Sequence, residues 1–430
     1  MSTQAAPSPW IESPRWDALW IFAGLWAPLL AIGAYLLLHG SGTAQTQRAF
    51  GTGIEGIAFI YLPLSVLHRI TTTYAVLGTS ILRDERRAQP GRYYYVPLAI
   101  TAGCILLALA FTFHDAFAFM PSLHGRLWAF FLLAYVMYGW ERWHFCAQEF
   151  GVLSIYRVRA KQSAPADKRF DRLFTVFLML GVNTVLVFRA GFHELRNVVL
   201  YGTPLVSYRG QWLEPIALCA FGVGLLLSAA AIARELRHPQ RSLPKLAFYV
   251  LVSGHSLVLY FLPNSLGLFF LSYVFHHWMV SVGLFSRVTL NAFDAAPAHP
   301  DKTARSPAMQ LLFGVGPFLI AALVLYLTCE QLDRAGNLYP VPNAMIFAGA
   351  ATGAKIIAGV IIGLFFALNY LHYYYDRCFY AFSSPAVRKT VGAHLFRAPR
   401  RSRQASSGER SAQASAIPSV PPIAGDPAAG

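Results

Sequence analysis

The strongest constraint in this sequence is the recurrence of long apolar runs. A helix needs about 20 apolar residues to cross the hydrocarbon of a bilayer, since each residue advances it by about 1.5 Å. Runs of that length fall near 18–38, 52–73, 94–113, 127–150, 171–190, 213–233, 245–262, 265–286, 308–328 and 345–375. A backbone in lipid must satisfy its own hydrogen bonds, so such runs fold as helices. The expected fold class is all-α: a polytopic integral membrane protein of about ten transmembrane helices. A chain that is 56% hydrophobic and 13% charged is too apolar for an ordinary soluble domain.

Charge sets the orientation. Arg83, Arg86, Arg87 and Arg92 follow the second run, Arg157, Arg159, Lys161, Lys168, Arg169 and Arg172 the fourth, and Arg234, Arg237, Arg241 and Lys245 the sixth. By the positive-inside rule these loops are cytoplasmic, and an even number of spans puts both termini there too. The net charge of +15 is then explained by anionic lipid, and no nucleic-acid partner is expected. The expected organisation is a short cytoplasmic segment over 1–16, a transmembrane domain over 17–385, and a basic, Ser/Ala/Pro-rich disordered tail over 386–430. The first run lacks the flanks of a cleaved signal peptide, so it counts as a span of a multi-pass protein in the cell membrane, a bacterial inner membrane or its equivalent. The five cysteines are scattered and form no CxxC motif.

Histidines carry the chemistry. On a helix, residues three and four apart share a face. Asn369, His372 and Asp376 have that spacing at the end of the last run, and Glu141, His144 and Gln148 repeat it in the fourth. Ser65, His68 and Thr72 repeat it again in the second run, while Tyr273 and His277 stand four apart in the eighth, beside His276. The topology brings His68, His144, His276, His277 and His372 to the cytoplasmic side on four helices. Polar groups in hydrocarbon are costly and face other helices or a wet cavity. Imidazoles converging with Asp376 or Glu141 are suited to a metal, with Thr72, Gln148, Tyr273 and Asn369 placed to orient the ligands. The alternative reading is an aromatic belt at the membrane surface, made by Tyr93 to Tyr95, Trp140, Trp143 and Tyr373 to Tyr375, in a structural protein whose histidines are merely interfacial.

The placing of His68, His144, His276, His277 and His372 resembles the integral-membrane histidine-box oxygenases, the fatty-acid desaturases and lipid hydroxylases. Their HxxxH and HxxHH boxes are absent here, and His276-His277 is the sole adjacent pair. The resemblance implies an iron-dependent oxidoreductase acting on a lipid-soluble substrate, a lipid or isoprenoid, with an electron-donor protein as partner. With five histidines plus carboxylates, one metal, or two with carboxylate ligands, is expected; zinc, copper and haem are the alternatives, and a transporter is the competing class.

Overall fold

The computed structural model describes residues 8–39, 67–113, 123–195, 199–200, 203–204, 212–261, 266–293, 352–382 and 384–396. The expected span at 308–328 and most of that at 52–73, with Ser65, lie outside the described residues. The chain divides into two units, 1–395 and 396–430. Within the first, nearly everything described is helical, apart from turns and a two-residue antiparallel pair, β1 (Val199–Leu200) and β2 (Thr203–Pro204).

The helices begin where the local chemistry allows. In α1, formed by Pro14–Asp17, Ala18–Phe22 and Ala23–His39, the Ser13 side chain accepts from the Trp16 amide at 3.2 Å and Pro14 follows at a position whose amide needs no partner. The next described helix, α2, covers 67–77, and α3 is Arg83–Ala88. Arg86 of α3 donates to the carbonyls of Val76 and Thr79, satisfying acceptors that the end of α2 leaves open. Helix α4 joins Gly91–Tyr95 to Val96–Thr112, and α5 is Leu123–Arg159. At 37 residues α5 is about 55 Å long, well beyond the hydrocarbon thickness, so it projects from any bilayer it crosses.

After α5 come α6 (Pro165–Phe174, Thr175–Val182 and Asn183–Leu195), α7 (Leu213–Arg237), α8 (Leu243–Val258) and α9 (Leu266–Phe293). Helix α10 is Thr352–Phe379. The short α11 (Pro385–Val387, Arg388–Gly392 and Ala393–Leu395) lies where the disordered tail was expected to begin. It is held to α9, with Arg287 donating to the Leu395 carbonyl at 2.9 Å and Asn291 to that of His394 at 2.8 Å.

Among the described residues, five helices are long and apolar enough to cross a membrane: Gly91–Ala110, Pro165–Arg189, Leu213–Arg237, Leu243–Phe261 and Lys355–Phe379. Their outward faces carry bare apolar side chains such as Leu98, Leu106, Leu226 and Ile357, as lipid-facing helices do. Both features point to a helical membrane protein.

Two seams fix the bundle around the histidines. Gly359 and Gly363 let α10 close on α4: a Cβ on Gly363 would lie 2.5 Å from the Ile105 Cα. On the other side α1 presses against α9, where a Cβ on Gly24 would stand 2.5 Å from the Cα of His276. One end of the bundle is tied by a buried ionic group. Lys245 lies 3.0 Å from Asp171 and 3.4 Å from Glu235, and Arg157 of α5 lies 3.2 Å from Asp171. Asp17 there accepts from the Ile11 amide at 3.0 Å and from the Tyr156 hydroxyl at 2.8 Å.

Candidate metal centre

Four imidazoles meet inside the bundle. His68 comes from α2, His144 from α5, His277 from α9 and His372 from α10, and one ligand nitrogen from each lies within 4.8 Å of all the others. The four residues are between 1% and 9% exposed. Their rings crowd edge to face: His68 to His372 at 4.0 Å between centroids, His68 to His277 at 4.6 Å, His144 to His277 at 4.8 Å.

The nitrogens of the group are poorly provided for by the protein. His68 and His277 set their Nε2 atoms 3.1 Å apart. The Nδ1 of His68, the Nε2 of His144 and both nitrogens of His372 are buried without a hydrogen-bond partner. Buried polar atoms are normally satisfied, because stranding one costs about 1–3 kcal/mol. A cation among them would supply the missing partner. The dimensions agree. With metal–nitrogen bonds of about 2.1 Å, two ligands on one ion stand about 3.4 Å apart in a tetrahedron and about 4.2 Å apart across the ion. The 4.8 Å limit of the group is close to that range.

The remaining expected residues sort themselves around this group. Asp376, one turn after His372 on α10, brings Oδ2 to 3.4 Å from the Nε2 of His144 and 3.6 Å from that of His372. Its other oxygen accepts from the Thr72 hydroxyl of α2, so Thr72 holds the carboxylate in place. Gln148 of α5 turns its carbonyl oxygen to the Nδ1 of His277 and donates from its amide nitrogen to the His277 carbonyl at 3.2 Å. An Nδ1–H donated to that oxygen leaves the Nε2 lone pair of His277 pointing into the group. Asn369 is buried one turn before His372. Tyr273 packs on Phe145 at 5.5 Å, and Phe145 in turn packs on His277 at 4.2 Å, so an aromatic ring separates Tyr273 from the ligands.

Two expected ligands lie outside the compact group. His276 turns away from His277, because consecutive helical residues point about 100° apart. Its Nε2 lies 2.7 Å from Oε1 of Glu149, a carboxylate 1% exposed. Glu141 has Arg142 and Arg69 as its charged neighbours. Glu149 is the functional candidate that spacing overlooked: it stands five residues after His144, about 140° round the helix, off the stripe that includes Gln148. Its signal in the sequence is a carboxylate within an otherwise apolar stretch, Phe150-Gly151-Val152-Leu153.

The walls are aromatic, with Phe145, Tyr373 at 4.9 Å from His144 and Trp278 at 6.3 Å from His68. They keep bulk water from the nitrogens. Comparison with models of known families, with characterised proteins and with solved structures gives no match, so the functional reading rests on this geometry.

Proposed function

We propose that the protein is an integral membrane metalloprotein in which His68, His144, His277 and His372 bind one metal ion, with Asp376 as an anionic fifth ligand. The observation that carries this reading is the convergence of four buried imidazoles, from four helices, three of which hold ring nitrogens without a hydrogen-bond partner. Four neutral nitrogens and one carboxylate oxygen suit a first-row transition metal, and iron is our assignment. A zinc site of the hydrolytic kind keeps three protein ligands and an open position, which fits a four-histidine set less well.

We assign the centre to oxidoreductase chemistry on a membrane-soluble chain, a lipid or an isoprenoid, of the desaturase or hydroxylase type. Bound iron would supply one-electron redox chemistry and oxygen activation. Around it, the protein's residues have separate tasks. Gln148 fixes the tautomer of His277, Thr72 fixes Asp376, and Phe145, Tyr373 and Trp278 exclude water and offer an apolar approach. An electron-donor protein is required by such a cycle and is part of the proposal. Transport is the weaker reading: transporter sites use broken helices near the midplane, whereas α5, α9 and α10 run unbroken through His144, His277 and His372.

We further place the protein in the cell membrane with about ten spans and both termini in the cytoplasm. The five apolar helices and the alternation of basic loops support this. A periplasmic reporter fused after Lys161 is expected to be inactive. The central test is metal analysis of protein purified in detergent. One metal ion per chain is expected, and its absence after growth with iron, zinc and copper supplied would overturn the reading.

A further inference from the structure

Helices α5 and α9 each present two adjacent polar residues to the other. Gln148 engages His277 through both its side chain and its backbone, and Glu149 lies 2.7 Å from His276. On each helix the two residues point about 100° apart, so the pairs grip at two bearings and resist rotation of either helix about its own axis. His276 is confined from behind as well, because the backbone of α1 at Gly24 leaves no room for even a Cβ there. One turn earlier on α9, Ser272 is tied to His255 of α8 at 2.8 Å. The turn of α9 that presents His277 is thus gripped by three neighbouring helices.

We infer that the Glu149–His276 pair is a positioning device for the metal centre, setting the rotation of α9 against α5 and with it the distance of His277 from His144. This rests on the metal reading above. The pair touches none of the four converging nitrogens in a described contact, and its closeness is poorly aligned for a hydrogen bond, with both nitrogens of His276 and Oε2 of Glu149 lacking such a partner. What it contributes is a fixed separation of two helices, each bearing one ligand.

The test uses full-length protein in detergent, loaded with Co(II), whose visible ligand-field bands report coordination geometry. The paired variant Glu149→Leu, His276→Leu removes the contact without stranding either buried polar group, so it keeps the bundle intact. It is expected to bind Co(II) about 10- to 100-fold more weakly, the usual loss when a group that orients a ligand is removed, with shifted bands. Glu149→Gln keeps the length and an oxygen facing His276, and is expected to restore the band positions. Unchanged bands and affinity in the paired variant overturn the inference while the metal reading stands. A Gln variant whose bands remain shifted also overturns it, since charge rather than position would then be at work. If the unaltered protein binds no Co(II) and no other transition metal, both readings fall.

Discussion

Replacing His372 by Ala is the sharpest probe of the centre. His372 is 1% exposed, has no hydrogen-bond partner on either nitrogen, and sits at the base of the helix turn that carries Asp376. The Ala variant removes one of four nitrogens. If a site of four imidazoles and one carboxylate is worth about 10–16 kcal/mol of metal binding, one ligand is worth roughly 3 kcal/mol, or about a hundredfold in affinity. The stability linkage follows. At a free metal concentration about 1,000 times the dissociation constant, the unaltered protein gains about 4.1 kcal/mol, and a variant binding a hundredfold more weakly gains about 1.4 kcal/mol at the same concentration. Affinity is measured by competition with a chelator of known strength, and stability by thermal unfolding with and without metal. Ser281→Ala is the control: a buried hydroxyl on α9 without a partner, whose loss leaves metal binding unchanged. Retention of wild-type affinity in His372→Ala would refute the four-histidine centre.

Three other outcomes are expected. Gly363→Val drives a side chain into the Ile105 backbone and should destabilise the bundle by about 1–3 kcal/mol in thermal unfolding, whereas Gly353→Ala meets nothing within 4 Å and should be neutral or slightly stabilising. Gln148→Ala frees the Nδ1 of His277 and should weaken metal binding by about 10- to 100-fold in the same competition assay. Burial raises the Asp17 carboxyl to about 6 despite its hydrogen bonds from Ile11 and Tyr156. A folded value above the unfolded one means that its contribution is fully present below about pH 3.8 and is lost as pH rises through about 6. Amide exchange at Ile11 and Glu12 should therefore be slower at pH 5 than at pH 7, after correction for the intrinsic rate; equal protection would remove the carboxyl from the account.

The legible part of this molecule was its apolar periodicity and its polar stripes. Runs of about 20 residues announced helices because hydrocarbon leaves the backbone no other choice. Spacings of three and four announced that His372 with Asp376, and His144 with Gln148, would work from one face. Histidine depth along the runs brought His68, His144, His277 and His372 into consideration together. The 100° step between His276 and His277 excludes both from aiming at one point, and the partner of the outward-turned one, Glu149, follows from the same step after Gln148. Tertiary contacts were not legible. Nothing in the local sequence marks α11 as docked, because its anchors are the backbone carbonyls of Leu395 and His394, which accept from Arg287 and Asn291 respectively, about a hundred residues earlier.

The seam between α1 and α9 is a pair of reciprocal notches. Gly24 of α1 receives the backbone of His276, and Gly283 of α9 receives Trp20, whose Cβ would stand 2.7 Å from a Cβ placed there. Each helix supplies both a bulge and a hollow, so substitution on one side is tolerable only with compensation on the other. Over divergence, positions 20 and 283 are therefore free to drift only as a couple, with bulk exchanged across the seam. Position 24 has no such freedom, since its neighbour is main chain, which mutation cannot shrink.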